Sequence, residues 1–226
     1  KVVVAYKNSA GSGVSSHIGY AVVGTVSGTS ISFGTPVVFD SGTQDNYAIV
    51  FDSNSNKVVI FWRGEYQNSV FACKAIVGTV SGTSISFGSE TIFNSSTTAV
   101  VSISYDSSAN KHLVSYRDGG NSNYGTAVPA SISGTSISFG TAVEFTAHTL
   151  TFVATTYDSN AEKVIIAYSD GNASNAGKAI VGTVSGTSIS LGSAAQFESG
   201  VTQDTSIAYD SNAQKVVLSY RDNSNS

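Results

Sequence analysis

The octapeptide Ser-Gly-Thr-Ser-Ile-Ser-Phe-Gly spans Ser27 to Gly34 and returns at 81–88 and 133–140. It appears once more at 185–192, with Leu191 in the Phe place. The first serines stand 54, 52 and 52 residues apart. A period of that length constrains the fold more than any single motif, because it marks an array of small supersecondary units. Each unit is too small to bury its apolar face alone, so neighbours must cover one another.

The residues available to fill that period favour strands. Leucine is limited to Leu113, Leu150, Leu191 and Leu218, methionine is absent, and Gly, Ser, Thr, Val and Ile carry the pattern. A run that opens Lys-Val-Val in three copies recurs as Lys1–Tyr6, Lys57–Trp62, Lys111–Tyr116, Lys163–Tyr168 and Lys215–Tyr220, with His112-Leu113 and Val164-Ile165 in the other two. After a polar stretch comes a second expected strand, such as Tyr20–Val26 or Lys74–Val80. The Ser-Gly-Thr-Ser segment then turns the chain, since glycine supplies the positive φ of a tight hairpin. A third strand is expected over Ile31–Phe39 and its copies. The fourth runs into a turn at Phe51-Asp52-Ser53, Tyr105-Asp106-Ser107, Tyr157-Asp158-Ser159 and Tyr209-Asp210-Ser211, where the Asp side chain can bond the turn backbone.

Four-stranded units of about this length resemble the blades of the highly repetitive β-propeller proteins, several of which are lectins or parts of bacterial and phage surface proteins. The resemblance covers essentially the whole chain. It implies an all-β propeller of ~52-residue four-stranded antiparallel blades. The blades would fall at about 45–98, 99–150 and 151–204, with partial blades at 1–44 and 205–226, in a single repeat domain. The Lys-Val-Val strand, variants included, occurs five times and the hairpin four times. Either this is a window on a longer propeller, or a spare strand is displaced or swapped into a neighbour. The absence of an initiator Met before Lys1 suggests a processed chain or an excised fragment.

Charge and cysteine narrow the partners. A net charge of −4, from 15 acidic and 11 basic residues, argues against nucleic acid and anionic membrane surfaces. No apolar run approaches the length of a membrane span. The single cysteine, Cys73, has no internal disulfide partner and stands where other repeats carry Gly19 and Gly177. The composition leans toward an extracellular location or a cell or virion surface.

The copies disagree in one place. From Val23 to Lys57, Val77 to Lys111, Pro129 to Lys163 and Val181 to Lys215 the step is always 34 residues. The remaining segment, from the Lys-Val-Val strand to the second strand, shrinks from 22 to 20 to 18 residues. The connection before the next repeat also varies, as Ser41–Asp45, Ser95–Thr98 and Ala147–Leu150 show. Variable loops on a fixed scaffold are where binding residues gather, unless they drift because nothing depends on them.

The variable loop opens with an aromatic, a base and an acid: Tyr116-Arg117-Asp118 and Tyr220-Arg221-Asp222, with departures at Tyr6-Lys7-Asn8, Trp62-Arg63-Gly64 and Tyr168-Ser169-Asp170. Such a trio suits a sugar: the ring stacks on C–H groups, while Arg donates and Asp accepts. The competing reading gives the ring to inter-blade packing and pairs Arg with Asp. Trp62, Arg63, Tyr116, Arg117, Asp118, Tyr168, Asp170, Tyr220, Arg221 and Asp222 are therefore the candidate ligand-binding residues. Asp118–Asn123 and Asp170–Asn175 are oxygen-rich, but each offers one Asp and no distal Glu, so an Asx turn suits them better than calcium.

Catalysis finds little footing. His17, His112 and His148 occupy unrelated places without an evident Ser or Cys partner. Glu65, Glu90, Glu144, Glu162 and Glu198 show no spacing that predicts a carboxylate pair, and the Ser-x-Asp-x-Gly-x-Thr box of sialidase-type propellers is absent. Asn94-Ser95-Ser96 and Asn172-Ala173-Ser174 match the N-glycosylation pattern, as a Ser/Asn-rich chain does by chance. The expectation is a non-enzymatic, cofactor-free module that binds glycans or surface polysaccharide. The alternative is a structural array, a stalk or filament subunit that self-assembles through strand or blade exchange.

Overall fold

The computed structural model describes residues 1–8, 18–67, 70–172 and 174–224. Every sheet is antiparallel, and the described residues contain no α-helix. The chain divides into two compact units: Lys1–Ser95 with Ile132–Ile137, and Ser96–Ser131 with Ser138–Ser226.

In the first unit, β1 (Val2–Asn8) pairs with β2 (Ile18–Ser27), whose far edge carries both β3 (Ser30–Phe33) and β4 (Val37–Asp40). The next sheet repeats this plan with one strand more. β5 (Gln44–Asp52), β6 (Lys57–Glu65) and β7 (Phe71–Ser81) lie side by side, and β8 (Ser84–Phe87) and β9 (Thr91–Asn94) share the far edge of β7. Val59, Ile60, Phe61 and Trp62 of β6 are wholly buried, so both faces of this strand are covered. Strict alternation is absent for that reason. Ala21, Val23, Phe39, Val58, Ile60, Trp62, Ile76 and Ile85 form the core of this unit.

The second unit opens with β10 (Thr98–Asp106), β11 (Lys111–Asp118) and β12 (Tyr124–Ser133) as far as Ser131, and β13 (Ser136–Phe139) completes the third octapeptide hairpin, whose tip at Ile132–Ile137 belongs to the first unit. β14 (Val143–Asp158) is 16 residues long and joins two sheets: its first part pairs with β12, its second with β15 (Lys163–Asp170). β16 (Ala176–Ser185) follows, with β17 (Ser188–Leu191) and β18 (Ala195–Glu198) on its edge. β19 (Thr202–Asp210) and β20 (Lys215–Asp222) form the last sheet. Leu113, Leu150, Ile166 and Tyr168 anchor the core.

Two turns repeat because local chemistry dictates them. In the octapeptide, Ser27 pairs with Ser30 across a two-residue loop, and Gly28 has φ of 58° while Thr29 stays in the ordinary region. Positive φ at the first loop residue alone is the type II′ turn, whose twist matches that of the strands. Gly82, Gly134 and Gly186 do the same with φ of 60°, 63° and 60°. At the other hairpin, Asp52 Oδ1 accepts from the backbone N–H groups of Asn54 and Ser55, both at 2.9 Å. Asp106, Asp158 and Asp210 cap their turns in the same way. That is the turn role expected of these aspartates.

The expected third strand, Ile31–Phe39, is in fact two strands. After a last bond from Gly34 N to Val23 O at 2.9 Å the ladder lapses until Val37, because Pro36 lacks an N–H and Gly34 lies hard against the carbonyl of Thr83. A Cβ on Gly34 would stand 2.0 Å from that oxygen. Gly140 meets Thr187 in the same manner, with 2.1 Å of clearance. The final glycine of each of the first three octapeptides thus makes room for the tip of the next one.

Candidate functional site

The aromatic members of the trios are taken up by packing. Trp62, Tyr116 and Tyr168 are 0%, 3% and 2% exposed, which leaves their rings no face for a ligand. Trp62, Tyr168 and Tyr220 each meet a phenylalanine of the repeat before. Phe39 meets Trp62 edge-on at 5.1 Å, Phe145 meets Tyr168 at 5.1 Å, and Phe197 meets the more open Tyr220 at 5.2 Å. For two of these rings the residue after the phenylalanine takes the polar tip. Asp40 accepts from Trp62 Nε1 at 2.6 Å, and Glu198 accepts from Tyr220 Oη at 3.1 Å. An acid following Phe in the sequence carried that signal. Burial, with the Asp170 charge nearby, pushes the Tyr168 phenol up to about 12, so it stays protonated.

The arginines and aspartates face the loops. Arg63 pairs with Asp45 at 2.7 Å and lies over Phe71 with its guanidinium carbon 4.3 Å from the ring centre. Arg117 donates to the Leu150 carbonyl at 3.4 Å. Arg221 donates to Gln203 and pairs with Asp204 at 3.4 Å. Asp118, Asp170 and Asp222 each accept the backbone N–H two residues on, at 3.0, 3.2 and 2.8 Å. These are Asx turns. Among the described residues no cluster of three or more His, Cys, Asp or Glu side chains is arranged to hold a metal ion.

One arrangement in the second unit has no counterpart in the other repeats. Asp170 is 1% exposed, and its carboxylate takes three donors: His148 Nδ1 at 2.7 Å, Lys178 Nζ at 2.7 Å and the Asn172 amide. Burial alone would raise this carboxyl. The Lys178 bond, the Asn172 N–H and the Lys178 charge outweigh burial and hold it below the ordinary value. Asn172 Nδ2 lies 3.2 Å from His148 Nε2. His148 and Asn172, with Tyr124, Ala147, Thr149 and Gly171, bound an open recess of about 250 Å³.

The local fold explains why the histidine stands there. β12 and β14 pair Tyr124 with Thr149 but Gly125 with Thr146, so Ala147 and His148 bulge out of the ladder. A bulge re-aims side chains without ending the strand. The other repeats break the chain at this point with Gly42, Ser96 or Gly200, whereas Ala147-His148-Thr149 lets β14 run on. Tyr124 replaces Ile18, Ala72 and Ala176. Sequence reading named Asp170 but left His148 without a partner, because the two are 22 residues apart on different strands. His112 is buried beside Tyr105, in keeping with a packing role. His17 lies outside the described residues.

Comparison with known proteins adds nothing to this geometry: no protein-family model matches the chain, and no curated protein matches it.

Proposed function

We propose that the chain is part of a β-propeller and serves as a non-enzymatic binding module for glycans at a cell or virion surface. The observation that carries this reading is the way its variable segments are laced together. At the loop end of successive sheets, Leu150 N bonds Asn123 O and Thr202 N bonds Asn175 O, both at 2.9 Å. Gly171 N bonds Thr149 O and Asn223 N bonds Val201 O, both at 3.0 Å, and Glu65 N bonds Thr43 O at 2.7 Å. A constant backbone frame therefore holds segments whose side chains differ from repeat to repeat, the arrangement that recognition loops use. Their Ser, Thr, Asn and Asp side chains offer the paired donors and acceptors that sugar hydroxyls need. Four-stranded sheets with broken outer strands, and the packing of β10, β14 and β19 on one another in the second unit, favour propeller geometry.

A glycan-array screen of the purified chain, with and without EDTA, tests this. Selective, EDTA-resistant binding is expected; no binding to any glycan refutes it. The seating of one octapeptide tip on the glycine of the one before favours a second reading, a structural stacked array. Light scattering separates the two, since a stacked array grows with concentration and a binding module does not.

A further inference from the structure

Resting on that reading, we infer that the recess at Tyr124, His148, Thr149 and Asn172 is the principal ligand site, and that it takes a neutral pyranose through two adjacent hydroxyls. The buried carboxylate of Asp170 is the starting point. An ionised carboxylate can only accept, so a hydrogen of His148 sits on Nδ1, and in the neutral imidazole Nε2 is then the lone-pair acceptor. The negative charge is answered by Lys178 on the other oxygen, so the recess presents no uncompensated carboxylate. Asn172 Nδ2 donates to His148 Nε2 at 3.2 Å, an internal bond that a sugar hydroxyl would replace, and its second N–H remains for a neighbouring hydroxyl. Adjacent sugar hydroxyls match such a pair: one donates to Nε2 while its neighbour accepts from the amide. Tyr124 adds an aromatic wall for sugar C–H groups, and the Thr149 hydroxyl adds adaptable polarity.

Asp170 acts here as a positioning residue. It fixes the imidazole tautomer and does not itself line the recess. The two recess side chains peculiar to this repeat, His148 and Tyr124, stand where sister repeats carry Ser96 and Ala72. His148→Ser and Tyr124→Ala therefore install residues this same scaffold already tolerates.

The test is saturation-transfer NMR and titration of the full chain with methyl α-D-mannopyranoside and methyl β-D-galactopyranoside, beside the glycan array. Wild-type protein is expected to bind at least one of them. Each variant should weaken binding by about tenfold, the loss of one hydrogen bond or stacking contact, with the far-UV circular dichroism spectrum of the wild type retained. Imidazole ¹⁵N shifts should show an unprotonated Nε2 in the wild type and a changed tautomer balance in Asp170→Asn. Glycan binding that survives His148→Ser overturns this assignment and leaves the broader reading standing. A protonated Nε2 in the neutral imidazole overturns the acceptor argument. Failure of the wild type to bind both probes and every array glycan overturns both proposals.

Discussion

Gly140→Ala and Gly192→Ala form a matched pair that isolates the tip-to-glycine contact. Both glycines end an octapeptide, and both donate a backbone hydrogen bond to the second strand, Gly140 to Pro129 at 2.8 Å and Gly192 to Val181 at 2.9 Å. They differ in what lies behind them. A Cβ at Gly140 would stand 2.1 Å from the Thr187 carbonyl oxygen, whereas one at Gly192 meets only Val181 O at 3.5 Å. Relieving the first clash means opening the contact by roughly 1 Å, a strain of about 1–3 kcal/mol by comparison with overpacked cores. It also disturbs the 2.8 Å bond from Thr141 N to Thr187 O, worth about 1 kcal/mol. Against this, alanine restricts the unfolded chain and returns about 0.4–1 kcal/mol, a gain that Gly192→Ala receives without any clash. That gain cancels between the two variants, which should therefore differ by about 2–4 kcal/mol, or roughly 4–16 °C in thermal midpoint for a chain of this size. Thermal and urea unfolding followed by far-UV circular dichroism measure it. Equal midpoints, or greater damage from Gly192→Ala, would refute the claim that each octapeptide is shaped to receive the next.

Three other outcomes follow from single positions. Glu162 and Gln214 hold left-handed turn positions, with φ of 53° each, that Asn56 and Asn110 fill in sister repeats. Glu162→Asn and Gln214→Asn should each stabilise the chain by about 0.5–1 kcal/mol, as asparagine tolerates that region better, and urea midpoints that fall would contradict this. Gly28→Ala meets no atom within 4 Å, so its expected cost of about 1–2 kcal/mol is conformational alone; a neutral result would rule out the type II′ turn. Asp170 is held below its ordinary pKa, so the unfolded state binds its proton more readily than the folded state. Its contribution is present above the unfolded carboxylate pKa and fades as pH falls through the folded value. Asp170→Asn should flatten that acid limb of the stability curve, and an unaltered limb would show that the three donors confer no net preference for the ionised form.

The strand and turn plan was legible from the sequence because short-range rules set it. Val-rich runs, the Gly28 turn and the Asp52 turn each depend on residues a few places apart, and four copies repeat the message. The split of the third strand was only half visible. Pro36 marked it in one repeat, but Gly34 needed Thr83 of the following repeat to show its purpose. The trio residues Arg63, Arg117, Asp118, Arg221 and Asp222 make loop-end hydrogen bonds and ion pairs. The trio rings were not separable by sequence into exposed and buried, since exposure depends on Phe39, Phe145 and Phe197 arriving from the preceding repeat.

By itself, then, the sequence determined an all-β chain of repeated antiparallel hairpins, because backbone preference and turn chemistry act between near neighbours. Tertiary structure alone decided which deviations from the repeat matter. His148 and Tyr124 look like scattered irregularities in the chain. They meet only because a bulge in β14 turns His148 toward Asp170 and Asn172 beside the first residue of β12. Contacts between residues that far apart arise from how sheets pack, and no local pattern encodes them.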